Sequence, residues 1–199
     1  MHIAIHPYFD DTKNFVAFIK SLIQTQVSYD IPVLSIYISS SQTKYSEQFY
    51  SYIIQLFAQI AHEQWVHTNN IKLSVLGEWY ALPDNCVHVM KTAIISTKDY
   101  DKHFVNFCVH YDGQQDIVES TKMIARKILT GKLQVDDITI QTLKENVYSS
   151  FFVPPSKLFV LGGHTQTQGM LLWDTSTTHI IYEQEHWWEW KKEKISKKN

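Results

Sequence analysis

Strand-like and helix-like patterns alternate along this chain from one end to the other, and that alternation narrows its fold to one architecture. His2-Ile3-Ala4-Ile5-His6 reads as a short strand stopped by Pro7. Phe15, Phe18, Ile19, Leu22 and Ile23 then recur at offsets of 0, 3, 4, 7 and 8, one face of a helix over 12–27 that Asp11 can cap. The same reading predicts strands over 33–39, 71–77, 104–111, 157–161 and 179–182. It predicts helices over 46–62, 82–96, 113–130 and 140–148. Strand–helix alternation at this spacing implies βαβ crossovers. The expected fold is a three-layer α/β domain, a mainly parallel six-stranded sheet with helices on both faces. In such sheets the site lies beyond the carboxyl ends of the strands. The loops that matter are then those after residues 6, 39, 77, 111 and 161. Residues 1–190 read as a single domain, and 191–199, rich in lysine, as a disordered basic tail with at most a peripheral contact to an anionic membrane surface.

Charge decides which partners suit the chain. With a formal net charge of -2 it has no basic field to recruit nucleic acid. Of its 18 Lys and Arg residues only Arg126 is an arginine, the residue best matched to forked contacts with phosphate. Cys86 and Cys108 have neither metal-ligand spacing nor a disulfide framework, and read as buried thiols of a reducing compartment. No apolar run reaches the ~20 residues of a membrane span, and no leader pattern opens the chain, so a cytoplasmic protein is expected.

Several segments in register resemble the cis-prenyltransferases, the undecaprenyl diphosphate synthase family. They are the opening strand to Pro7, the run Val33 to Ser41, Val75-Leu76-Gly77-Glu78 with Leu82-Pro83-Asp84, and Val105 to Gly113. The likeness continues through Asp116-Ile117-Val118, Ile138-Thr139 with Val147-Tyr148, Pro155 to Trp173, and Trp187. The resemblance implies the six-stranded fold, a homodimer, and joining of isopentenyl diphosphate to an allylic diphosphate. That chemistry uses magnesium, a carboxylate to hold it and arginines on the phosphates.

Carried over position by position, the scaffold matches and the diphosphate-gripping residues do not. The family's Asp-Gly-Asn-Arg-Arg-Trp becomes Tyr8-Phe9-Asp10-Asp11-Thr12-Lys13, which puts Tyr8 at the metal-binding aspartate. A shift of two residues would put Asp10 there instead. The Thr-Glu-Asn-Trp region falls on Ser41-Gln42-Thr43-Lys44. The arginine of the Gly-Gly-Arg turn becomes Gln114. The arginine-rich signature becomes Val160-Leu161-Gly162-Gly163-His164-Thr165-Gln166-Thr167-Gln168, and the glutamate that holds metal from a dimer partner becomes His179.

The candidate site is therefore Asp10 and Asp11 as catalytic residues, with Tyr8, Ser41, Gln114, Gly162, Gly163, His164, Gln166 and Gln168 binding substrate and His179 with Asp10 holding any metal. The expected protein has a degraded diphosphate site and no cofactor. It would act without catalysis, as an isoprenoid binder or as a subunit of a homodimer or of a heterodimer with an active relative. The alternative is a divergent transferase using Asp10 or Asp11, Mg2+ and lysines such as Lys13 and Lys44. Two further readings are open. His6, His110, His164 and His179 could hold a transition metal, and the amides of Gly162 and Gly163 could cradle a phosphate. Trp187, Trp188 and Trp190 suit either an interface or packing against the sheet edge.

Overall fold

The computed structural model describes residues 1–9 and 14–196. Six strands form one sheet: β1 (His2–His6), β2 (Val33–Tyr37), β3 (Ile71–Leu76), β4 (His103–Cys108), β5 (Lys157–Val160) and β6 (His179–Tyr182). Their order is β3-β4-β2-β1-β5-β6, and every adjacent pair is parallel. The expected sheet is thus observed, with parallel pairing throughout. β1 lies between β2 and β5, with Ile5 beside Ile36 on one side and Phe159 on the other. Both faces of β1 and β2 are buried, which explains why their sequences read as apolar runs instead of alternating ones.

Helices α1 (Phe15–Ser28), α2 (Glu47–Ile60) and α4 (Asp84–Ser96) share one core with a single face of the sheet. Ile3, Ile5, Leu34, Ile36, Val105 and Phe107 meet Phe15, Ile19, Phe57 and Met90 there, all fully buried. The other face carries a smaller core of Ala4, Tyr37, Cys108, Tyr111, Leu158 and Val160, closed by Met170 and Leu171. Helix α5 (Gly113–Leu129) and the short α6 (Ile140–Lys144) pack together. Asp116 of α5 is buried at 4 % exposure beside the smaller core, where its carboxylate accepts from Tyr111 Oη at 3.0 Å and the Tyr148 amide at 3.0 Å.

Several boundaries differ from expectation for local reasons. The helix expected over 46–62 ends at Ile60, and a separate α3 (Gln64–Thr68) follows. Between them Glu63 is extended and pairs with Lys20, a tertiary contact that sequence periodicity does not carry. The helix expected over 140–148 stops at Lys144, whose ammonium reaches Asp174 at 2.7 Å and the Ser149 carbonyl at 3.0 Å. The basic segment expected to be a disordered tail instead forms a turn of 3-10 helix over Lys192–Ser196. Ile195 is buried there, and Lys194 pairs with Glu183 and Glu185. Trp187 and Trp190 are 1 % and 2 % exposed within the larger core, so these two pack inside the molecule and only Trp188 faces out. Cys86 and Cys108 are free, buried thiols. No described helix is long and apolar enough to cross a membrane.

Phe57 meets Phe107 edge-on at 5.0 Å in the middle of the larger core. Phe57→Ala is expected to lower unfolding free energy by about 3–5 kcal/mol in urea titration, whereas Ile140→Ala on the surface changes it by less than about 0.5 kcal/mol.

Candidate active site

Because β1, β2, β4 and β5 run parallel and adjacent, their carboxyl ends deliver four loops to one edge. Two contiguous cavities open there, of about 230 Å³ and about 460 Å³, both bordered by Thr43 and Gln168. His6, Tyr8, Phe9, Tyr37, Tyr45 and His164 line the first. Ser40, Asp112, Gly113, Gln114 and Thr167 line the second.

A column of four rings forms the floor of the first cavity. Tyr37 stacks on His6 at 4.1 Å, His6 on Tyr8 at 4.0 Å, and Tyr8 on His164 at 3.6 Å. Tyr8 has a left-handed backbone with φ 51, and its hydroxyl donates to the Gln166 carbonyl at 2.5 Å. Tyr37 donates to the Tyr111 carbonyl at 3.1 Å, and Tyr45 accepts from the Ser40 amide at 2.8 Å. The tyrosine hydroxyls are thus engaged with the backbone. His6 is 2 % exposed, and neither of its ring nitrogens has a partner of good hydrogen-bond geometry, although the Gln168 side chain approaches it. Burial pushes its pKa down to about 3, so the imidazole is neutral and brings no positive charge to the cavity.

The second cavity is set by the start of α5. Asp112 is its N-cap, and Oδ1 accepts from the amides of Gln114 and Gln115, both at 2.9 Å. The amino end of a helix is a natural seat for an anion, and here a carboxylate of the chain itself takes it. Gly113 is required because a Cβ there would meet the Gly169 carbonyl oxygen at 2.1 Å.

The structure gathers Tyr8, His164, Gln114 and Gln168 at this edge, with Gln166 joined to it through its carbonyl. Ser41 lies in the adjoining loop, its amide on the Tyr111 carbonyl at 3.4 Å. Gly162 and Gly163 do follow β5, but their amides donate to the carbonyls of Glu185 (2.8 Å) and Glu183 (2.9 Å). They are not free to cradle a phosphate, which corrects that expectation. His179 is not brought in: it opens β6 beside Lys157, at the amino end of the sheet. Asp10, Asp11 and Lys13 lie outside the described residues.

Among the described residues no three His, Cys, Asp or Glu side chains converge to hold a metal. Magnesium takes hard oxygen ligands, carboxylates above all. The described lining offers one carboxylate, Asp112, already committed to its helix, and at Tyr8 a phenol whose pKa burial raises. These residues do not fit a magnesium ion. Tyr37, Tyr45 and Asp112 escaped the sequence reading. Asp112 sits one position before Gly113 in a turn already singled out, and its capping chemistry was the available signal.

Burial makes β1 acid-sensitive at both of its ends, with His6 at the site edge and His2 at the opposite, amino end of the sheet. Burial also lowers His2 to about 4; its Nδ1–H donates to the Val153 carbonyl at 2.7 Å and its Nε2 lies 2.8 Å from Ser35 Oγ. Both histidines have native pKa values below the unfolded value near 6.5. Their contribution is complete above that pH and is lost as pH falls towards 4 and 3. Asp116 acts in the opposite sense, since burial raises it to about 6 and the native state gains its proton first. Two groups outweigh one, so Tm is expected to fall between pH 7 and pH 4.5, and to fall less in His6→Phe, measured by circular dichroism melts.

The chain matches the family described as putative undecaprenyl diphosphate synthase over residues 11–198. It is 28% identical over 133 residues to a tritrans,polycis-undecaprenyl-diphosphate synthase (geranylgeranyl-diphosphate specific) of Methanocaldococcus jannaschii, covering 66% of this chain and 48% of that protein. It is 27% identical over 169 residues to an isoprenyl transferase of Prochlorococcus marinus, covering 83% of this chain and 62% of that one. The chain thus spans about half the length of the first relative and under two thirds of the second. Lavandulyl diphosphate synthase from Lavandula x intermedia, solved with dimethylallyl diphosphate, superposes with a TM-score of 0.87 over 98% of this chain and 91% of that one, at 19% identity. A probable undecaprenyl diphosphate synthase from Campylobacter jejuni gives 0.81 over 98% and 90%, at 17% identity. The likeness in fold and the match along nearly the whole sequence agree: the chain belongs to the undecaprenyl diphosphate synthase family, the cis-prenyltransferases.

Proposed function

We propose that this chain is a member of its family that does not itself transfer prenyl groups, and that it serves as an isoprenoid-binding or partner subunit. One observation carries the reading: the described lining of the strand-end site holds a carboxylate, Asp112, and no Lys or Arg. The sole arginine, Arg126, lies 13 residues along α5 from Gly113, roughly 20 Å at 1.5 Å per residue. Ionising an allylic diphosphate requires donors on the leaving oxygens as charge develops. Each charge-assisted hydrogen bond of that kind contributes about 1.5–3 kcal/mol, and a fixed carboxylate opposes the same charge. In the subunit role the partner is a second copy or an active relative.

A second reading follows from the enzyme names of the relatives: a divergent isoprenyl transferase, condensing isopentenyl diphosphate with an allylic diphosphate through Asp10, Asp11 and Mg2+. One assay separates the two. Purified protein with isopentenyl and farnesyl diphosphates and magnesium is expected to yield no longer prenyl diphosphate by mass spectrometry. Product that disappears in Asp10→Ala, Asp11→Ala establishes the second reading. The double variant Asp112→Gly, Gln114→Arg is expected to bind isopentenyl diphosphate at least about tenfold more tightly than the natural chain in calorimetric titration.

A further inference from the structure

The second face of the sheet holds a recess that the strand-end site does not use. Helices α1, α2 and α4 all lie on the other face. Over β2, β4 and β3 the second face is bordered by the segment 148–153, and between them is a cavity of about 600 Å³. Alternation along β3 turns Lys72, Ser74 and Leu76 into it. In the next strand Phe104, in register with Lys72, forms the floor, and Phe152 stands edge-on to it at 5.7 Å as the roof.

The recess is polar at one side and apolar at the other. β3 is the outermost strand, so Lys72 and Ser74 stand at the open rim, with Phe104 and Phe152 farther in. Lys72 makes no ion pair or hydrogen bond among the described residues, and no carboxylate lines the cavity. Beneath the rim, Asn106 lies beside Ser74 in the β3–β4 register, fully buried, with Oδ1 unpartnered. Phe151 borders the mouth at 94 % exposure, an aromatic ring held in water beside an apolar hollow. At about 30 Å³ per water-sized group, the space suits roughly 20 non-hydrogen atoms.

We propose that this recess binds a single-chain amphiphile with a singly charged anionic head, the head on Lys72 at the sheet edge and the chain between Phe104 and Phe152. One ammonium balances one negative charge, which favours a carboxylate over a diphosphate. The chain covers apolar surface that water now touches, including the ring of Phe151. The recess lies on the second face near the amino ends of β2 and β4, so the assignment stands apart from whether the strand-end site is active.

Calorimetric titration of the full chain with dodecanoate, below its micelle concentration, tests this, with dodecanol as the uncharged comparison. One-to-one binding of dodecanoate is expected, tighter than dodecanol by about fivefold to tenfold. Lys72→Met, a change at a partly buried rim position outside the main cores, is expected to abolish that preference while dodecanol still binds. Ser74→Phe, which fills the rim, is expected to weaken both. A dodecanoate Kd weaker than about 1 mM overturns the proposal. So does an unchanged preference in Lys72→Met, or a self-associated chain whose hydrogen exchange is protected over 148–153, which would give the face to a second copy.

Discussion

The parallel pairing of β1 with β2 and β5 is the constraint on which the rest of this molecule depends. It buries both faces of the central strand, and so forces the middle of that strand, Ile3-Ala4-Ile5, to be wholly apolar. It also points Tyr8, the Ser40 loop and the turn after β5 at one another. The two histidines that flank this strand are buried with it and held neutral. His2 is satisfied by Val153 and Ser35, whereas His6 is left to ring stacking. The site edge is therefore built by the same ladder that builds the core.

Its polarity follows from two local choices. Aromatic rings form the floor of the first cavity, and the one carboxylate among the described lining residues, Asp112, is turned inward to cap α5. Asp112 contributes to the helix about what an N-cap usually does, on the order of 1 kcal/mol, by satisfying two amides that would otherwise face the cavity. Stability and anion affinity are set against each other at those amides: a bound anion would have to displace the cap.

Much of the fold was legible because periodicity and burial are the same information. β1 and β6 fall at the residues expected, and the other strands differ only at their ends. The misses came where a distant contact decided the matter. Glu63 breaks a helix through Lys20, and Lys144 ends another through Asp174. The site was legible as a set of positions, since Tyr8, Gln114, His164 and Gln168 do converge. Their roles were not. Whether a glycine amide is free depends on what lies across from it, and here Glu183 and Glu185, some twenty residues on, occupy both. His179 is far from the edge because β6 begins at the opposite end of the sheet, a matter of strand direction that a single aligned position does not reveal.

The segment after β6 has a mechanical consequence. Its backbone at Glu183 and Glu185 holds the loop at Gly162 and Gly163, while Lys194 clasps the side chains of the same two glutamates and Ile195 is seated in the larger core. The helical turn at Lys192–Ser196 is thus a brace on the loop that carries His164, and through His164 on the ring column as far as Tyr37. Loss of the contacts near residue 194 would remove a support from that loop, which makes the segment after β6 part of the site's frame.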